Sequence, residues 1–184
     1  ILYPLPAGIG LVIRPILQTA TDGHSVGRTE NNLVVMICQC SAVHGFINAL
    51  KARIDAYQKR KHREGKRVHP TTLHYVWARE FGECKGKKHY HLMLLVNRDT
   101  WCRAGDYREP GSLAGMIKQA WCSALGVDAG CYATLANFPS RPVVWLDRGD
   151  DVGLRDALDR AAYLAKEYTK VNGTGERNFG CSRS

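Results

Sequence analysis

The sequence predicts an α+β domain, an antiparallel sheet of about five strands with helices packed on it. LHYVWAREF (73–81) is rich in β-branched and aromatic residues, and after GECKGK begins the strand within KKHYHLMLLVN (87–97), so the two read as a hairpin. Phe46, Ile47, Leu50, Ile54 and Tyr57 recur at helical spacing, and Leu113, Met116, Ile117, Ala120 and Trp121 mark another helix. The resulting order, β-α-β-β-α-β-β-α, places strands beside strands and favours α+β over a parallel α/β sheet.

Residues 1–31 carry scattered Pro, Gly and Thr and end in GRTENN, so they read as an N-terminal arm or extra element packed on a domain of residues 32–184. LVVMICQC (33–40) is a continuous apolar run, the pattern of a strand covered on both faces. The helix that follows ends in QKRKHREGKRVHP, stopped by Gly65 and Pro70. After the hairpin, the second helix closes near Gly126. Two weaker strands, CYATL and PVVWLD, bracket ANFPSR, and DVGLRDALDRAAYLAKEYTK (151–170) is a final helix before NGTG breaks it.

The chain has 184 residues, enough for one domain with a real core, and its 45% hydrophobic and 9% aromatic content is that of a globular protein. Charge is the anomaly: 26 Lys plus Arg against 17 Asp plus Glu leave +9. Such an excess points to phosphates or an acidic surface as partner. No apolar run approaches membrane-span length and no signal peptide is read, so a cytoplasmic protein without membrane contact is expected. Seven cysteines without a CxxC pair read as reduced thiols, with Cys38 and Cys40 on one face of their strand.

His89 and His91 are one residue apart on a strand, so their rings share a face and can converge on one ion, while Tyr90, Leu92, Leu94 and Val96 face the other layer. Met93 and Leu95 continue the histidine face into apolar packing. The plainer alternative is a pair of polar residues at a strand mouth. Pairing Glu80 with His91 leaves Cys84–Lys85–Gly86–Lys87 as a four-residue turn and sets the carboxylate beside both rings; a one-residue slip brings Glu83 there instead. Glu80 is the preferred third ligand. Two imidazoles and a carboxylate with open positions suit Mn²⁺ or Mg²⁺, with Zn²⁺ as an alternative, acting on a phosphate oxygen.

A nucleophile is offered by the last helix. On a wheel with Leu154 at zero, Leu158, Ala161, Ala165 and Tyr168 form the core stripe, whereas Tyr163 falls about 180° away. Lys166 lies one turn on from it, with Lys170 on the same side. An adjacent ammonium or metal favours the phenolate. The alternative is an exposed tyrosine resting on its neighbours.

HYH on a strand after a Glu-bearing strand, followed downstream by YLAK on a helix, resembles the HUH endonuclease superfamily. The arrangement VWAREF, KKHYHLMLLVNRD, YLAKEYTK and GERNFGCSRS is similar to the filamentous-phage (inovirus) replication-initiator type, over most of residues 33–184. The resemblance implies a metal-dependent nickase of single-stranded DNA that initiates rolling-circle replication. His89, His91 and Glu80 would hold the ion, Tyr163 would form a 5′-phosphotyrosyl intermediate, and Lys166 would steady the phosphate or the ion's surroundings. The implied partner is single-stranded DNA or a hairpin at a replication origin in a bacterial host, with host replication proteins beside it. Glu167 stands where relatives with two tyrosines carry the second, so a single-tyrosine site is expected.

Lys59, Arg60, Lys61, Arg63, Lys66 and Arg67 cluster after the first helix, and Lys85, Lys87 and Lys88 lead into the histidine strand; with Lys170 they are the expected DNA contacts. A solvated charged face is the default for such runs. Two rival readings are an inactive DNA-binding or regulatory module on the same fold and an HUH transposase or relaxase. Relaxases carry a three-histidine cluster and an early tyrosine, neither present here.

Overall fold

The computed structural model describes residues 10–13, 16–18, 32–81, 88–147, 149–165 and 175–183. Its centre is the hairpin β3 (His74–Phe81) and β4 (Lys88–Asn97). On the far edge of β4, β1 (Gly10–Ile13) pairs along its later half and β2 (Ile16–Gln18) along its earlier half. The stretch expected as an arm or extra element thus supplies two strands of the sheet. β5 (Ala136–Asn137) pairs with β2 and β6 (Val143–Leu146) with β1. β7 (Phe179–Cys181) closes the other edge beside β3. All pairings are antiparallel, and where β1 and β2 continue one another, as do β5 and β6, the sheet is five strands wide.

One face of this sheet carries α1 (Asn32–Arg63) and α2 (Leu113–Leu125). Residues 33–40, expected as a strand, are instead the opening turns of α1. A continuous apolar run fits either element. The deciding fact is that both edges of β4 are already taken, by β3 and by β1 with β2. Phe46, Leu50 and Ile54 of α1 and Ile117 and Trp121 of α2 are buried against Tyr90, Leu92, Leu94 and Val96. Trp121 meets Phe46 and Tyr90 edge-on at 5.9 and 6.0 Å, which ties both helices to β4. Ser112 caps α2, accepting from the Gly115 N–H at 2.9 Å, and Gly126 ends it with φ 68°, a left-handed conformation suited to glycine.

CYATL, expected as a strand, is helical: α3 (Ala129–Tyr132) runs into a 3₁₀ turn (Ala133–Leu135). Asp128 caps that turn through the Cys131 N–H at 3.1 Å, a local signal that outweighs weak strand propensity. The final helix α4 (Asp151–Ala162) begins at the Asp150 cap and tightens into 3₁₀ at Tyr163–Ala165; residues 166–170 lie outside the described residues. Ala157 and Leu164 are its buried residues, and Leu158, expected in the core stripe, is exposed. The buried face is therefore rotated from the one expected.

Burial, reinforced by the Asp128 carboxylate, pushes the Cys122 thiol up from its ordinary value. Alkylation at neutral pH followed by peptide mass spectrometry is expected to modify the exposed Cys102, Cys131 and Cys181 first and Cys122 only on unfolding.

Candidate metal centre

β4 displays His89 and His91 on the face away from α1 and α2. In the ladder Glu80 stands opposite His89 and Ala78 opposite His91. This register differs by two residues from the expected pairing of Glu80 with His91, and an even shift keeps every side chain on its face. Glu80 therefore still joins both rings. The stretch between Phe81 and Lys88 is correspondingly longer than a four-residue turn; Glu83, Lys85 and Lys87 fall in it, outside the described residues.

Glu80 is 2% exposed and His91 8%, so a carboxylate and an imidazole are nearly out of water. The Glu80 Oε2 atom lies 3.2 Å from His91 Nε2 and 3.7 Å from His89 Nε2. One ligand atom from each of the three residues falls within 4.8 Å of the others. Ligands about 2.1 Å from a common ion stand at most about 4.2 Å apart, so the two Glu–His distances fit. A buried carboxylate facing two imidazole nitrogens has the chemistry of a divalent-cation site. This group could hold a metal ion.

The opposite wall comes from α4. Ala157 packs with Val144, Leu146, Met93 and Leu95, the residues that continue the His91 face along β4. Moving back from Met93 to His91 covers about 7 Å of strand. Six residues of helix from Ala157 onward cover about 9 Å and reach Tyr163. The two advances match, and the Tyr163 ring meets the His91 ring edge-on, centroids 5.6 Å apart. Tyr163 is 40% exposed while the adjacent Leu164 is buried, which fixes the turn without covering the phenol. Arg160 holds this end of α4, its Nε donating to Asp156 at 2.9 Å and its Nη1 to the Arg141 carbonyl at 2.6 Å.

The expected basic residues divide. Lys166 and Lys170 lie outside the described residues. Lys88 belongs to the other face of β4, where its Nζ lies 2.9 Å from Glu176 Oε2, so it is committed to an ion pair and not turned to the ligand cluster. Lys59, Arg60, Lys61, Arg63, Lys66 and Arg67 are also remote. Their end of α1 is fastened near the close of β4, with Tyr57 against Trp101 (5.3 Å) and Gln58 Nε2 donating to the His69 carbonyl at 2.8 Å. From His91 to Asn97 is about 20 Å of strand, and α1 lies behind the sheet. Glu64 also draws charge from this cluster, 2.7 Å from Lys66.

Segment 175–182, quoted above only for its resemblance, was given no place in the fold. Arg79, 1% exposed, pairs with the Glu176 carboxylate, and its Nη2 donates to Asn178 Oδ1 at 2.8 Å and to the Glu176 carbonyl at 3.2 Å. Asn178 to Cys181 then runs along β3. Three paired residues are too few to show alternation, and no local signal marked them.

The YagK/YfjJ C-terminal domain profile matches residues 17–182. The chain is 40% identical over 138 residues to the Escherichia coli K-12 protein YagK, described as uncharacterized, covering 73% of this chain and 66% of that one. It is 37% identical over 148 residues to the E. coli K-12 protein YfjJ, likewise described as uncharacterized, covering 77% of this chain and 71% of that one. The chain thus spans about two thirds of the length of these relatives. No solved structure matches it. Among the described residues no helix is long and apolar enough to cross a membrane.

Proposed function

Because this chain belongs to the YagK/YfjJ C-terminal domain family and brings Glu80, His89, His91 and Tyr163 to one side of its sheet, we propose that it is a metal-dependent enzyme that nicks and rejoins single-stranded DNA. The observation that carries this reading is the contact of the Tyr163 ring with the ring of His91, a member of the ligand cluster. A tyrosine beside the ligand cluster is what the resemblance to HUH initiators implies.

In this reading Glu80, His89 and His91 hold Mn²⁺ or Mg²⁺, which when bound supplies a Lewis acid for a non-bridging phosphate oxygen. The Tyr163 hydroxyl gives up its proton as its oxygen attacks phosphorus, the P–O3′ bond breaks, and the leaving oxygen takes up a proton to become a free 3′-OH, so protons balance. The 5′ phosphate stays on the tyrosine. Joining is the reverse: a 3′-OH attacks the phosphotyrosyl phosphorus and the phenol is released. A neutral phenol is a weak nucleophile, so the reaction needs positive charge to favour the phenolate, the role assigned to Lys166. The remote basic end of α1 contributes phosphate contacts away from the reacting bond. The substrate is an origin strand or hairpin loop in a bacterial cell, with replication proteins of the host using the 3′-OH.

Incubation with single-stranded oligonucleotides from several candidate origins and Mn²⁺, followed by denaturing electrophoresis, tests the reading. Wild type is expected to give a protein–DNA band resistant to denaturant, and Tyr163→Phe none. Wild type that binds these strands yet gives no such band with any of them is a binding module, and the enzyme reading fails.

A further inference from the structure

β7 adds three residues to the sheet, and their register decides which side chain faces the ligand cluster. Phe179 stands opposite Ala78, and Ala78 opposite His91, so Phe179 and His91 share one row and one face. At about 4.8 Å per strand the two backbones lie about 10 Å apart. The residue between them is an alanine, short enough not to separate the rings. Phe179 is 46% exposed and Tyr163, in contact with His91, 40%.

The segment that carries Phe179 is held from behind. Arg79 and Lys88 grip Glu176, the Asn178 carbonyl accepts the Arg79 N–H at 2.8 Å, and the Ser182 N–H donates to the Tyr75 carbonyl at 2.9 Å. Gly180 lies so close to the Trp77 indole that a Cβ there would come within 2.5 Å of Nε1, so the strand sits flat on the ring. A ring presented in this way loses little freedom when it is covered.

We propose that Phe179 is a stacking platform for an unpaired base of a strand drawn across the metal centre. The inference rests on the DNA reading above. Surfaces that hold single strands combine positive charge with aromatic rings on which bases stack. This chain supplies +9, and the structure gives the ligand face two half-exposed rings. The basic end of α1 has charge without an exposed ring, which suits a phosphate backbone, whereas the Phe179 side suits bases.

Fluorescence anisotropy with a labelled mixed-sequence single strand, in EDTA so that no chemistry occurs, tests the proposal. Phe179→Ala is expected to weaken binding about tenfold, and Phe179→Trp to restore it. The salt dependence of binding stays that of wild type, because no phosphate contact is removed. On the same strand with its bases replaced by abasic sites, wild type and Phe179→Ala bind alike. Phe179→Leu, which keeps an apolar side chain on β7, melts like wild type and binds like Phe179→Ala. Unchanged affinity in Phe179→Ala, or an equal loss on the abasic strand, overturns the proposal. Absence of a covalent adduct in the nicking assay leaves this result standing; wild type that binds no single strand overturns both readings.

Discussion

Glu80→Ala is expected to lose the Mn²⁺-dependent stabilisation that the proposed metal centre gives the wild type. In wild type, an ion bound only by the folded state adds about 2.7 kcal/mol when its concentration is one hundred times its dissociation constant, and EDTA reverses the gain. The effect centres on Glu80 because it is the anionic member of the cluster, 2% exposed and within 3.2 and 3.7 Å of the two histidine nitrogens. Removing it leaves only the two imidazoles, too few to hold an ion against water. The expected affinity loss is at least about 100-fold, beyond what loss of an outer-shell partner costs. Thermal melting with and without Mn²⁺ reads the outcome, and a Glu80→Ala protein whose melting temperature still rises with Mn²⁺ would remove this cluster as the binding site. His91→Ala should behave in the same way, and Glu83→Ala should keep the Mn²⁺ response.

Arg79→Met destabilises the fold by about 3 kcal/mol, the lower end of the cost of stripping one partner from a buried ion pair. The guanidinium is almost wholly buried, and the Glu176 carboxylate that it neutralises is itself only 23% exposed. Lys88 remains within 2.9 Å of that carboxylate, which keeps the loss from being larger. Chemical denaturation measures the change, and limited proteolysis should show cleavage moving into residues 175–182. Adding Glu176→Leu removes the stranded charge and recovers much of the stability. If Arg79→Met unfolds at the wild-type denaturant concentration, the C-terminal segment is not held by this pair. The same variant is expected to weaken single-strand binding, since it loosens the support behind Phe179.

The difference in what each segment revealed has physical causes. Phe46, Leu50, Ile54, Leu113, Ile117 and Trp121 were legible because burial on one helical face leaves a period that needs no knowledge of the partner. The hairpin was legible for the same reason, and its histidines share a face at any register. The run 33–40 was not, because uninterrupted apolar residues satisfy a helix and a buried strand equally. Leu158 was placed in the core because small, evenly spread apolar residues on α4 leave the direction of the buried face poorly defined. The basic residues near Lys59 to Arg67 stand out in the sequence by charge, yet charge carries no information on position, and α1 sets them behind the sheet.

Local pattern by itself determined the α+β class, the hairpin and the convergence of His89 and His91, since side-chain alternation follows from backbone geometry alone. The pairing of Glu80 with His89, the entry of residues 10–13 and 16–18 into the sheet, the approach of Tyr163 to His91 and the presence of Phe179 in the same row were decided by tertiary structure. Each of these depends on contacts between segments far apart in the chain, whose free energy comes from closing the sheet edges and burying α4 against β6, and no short window of sequence contains both partners.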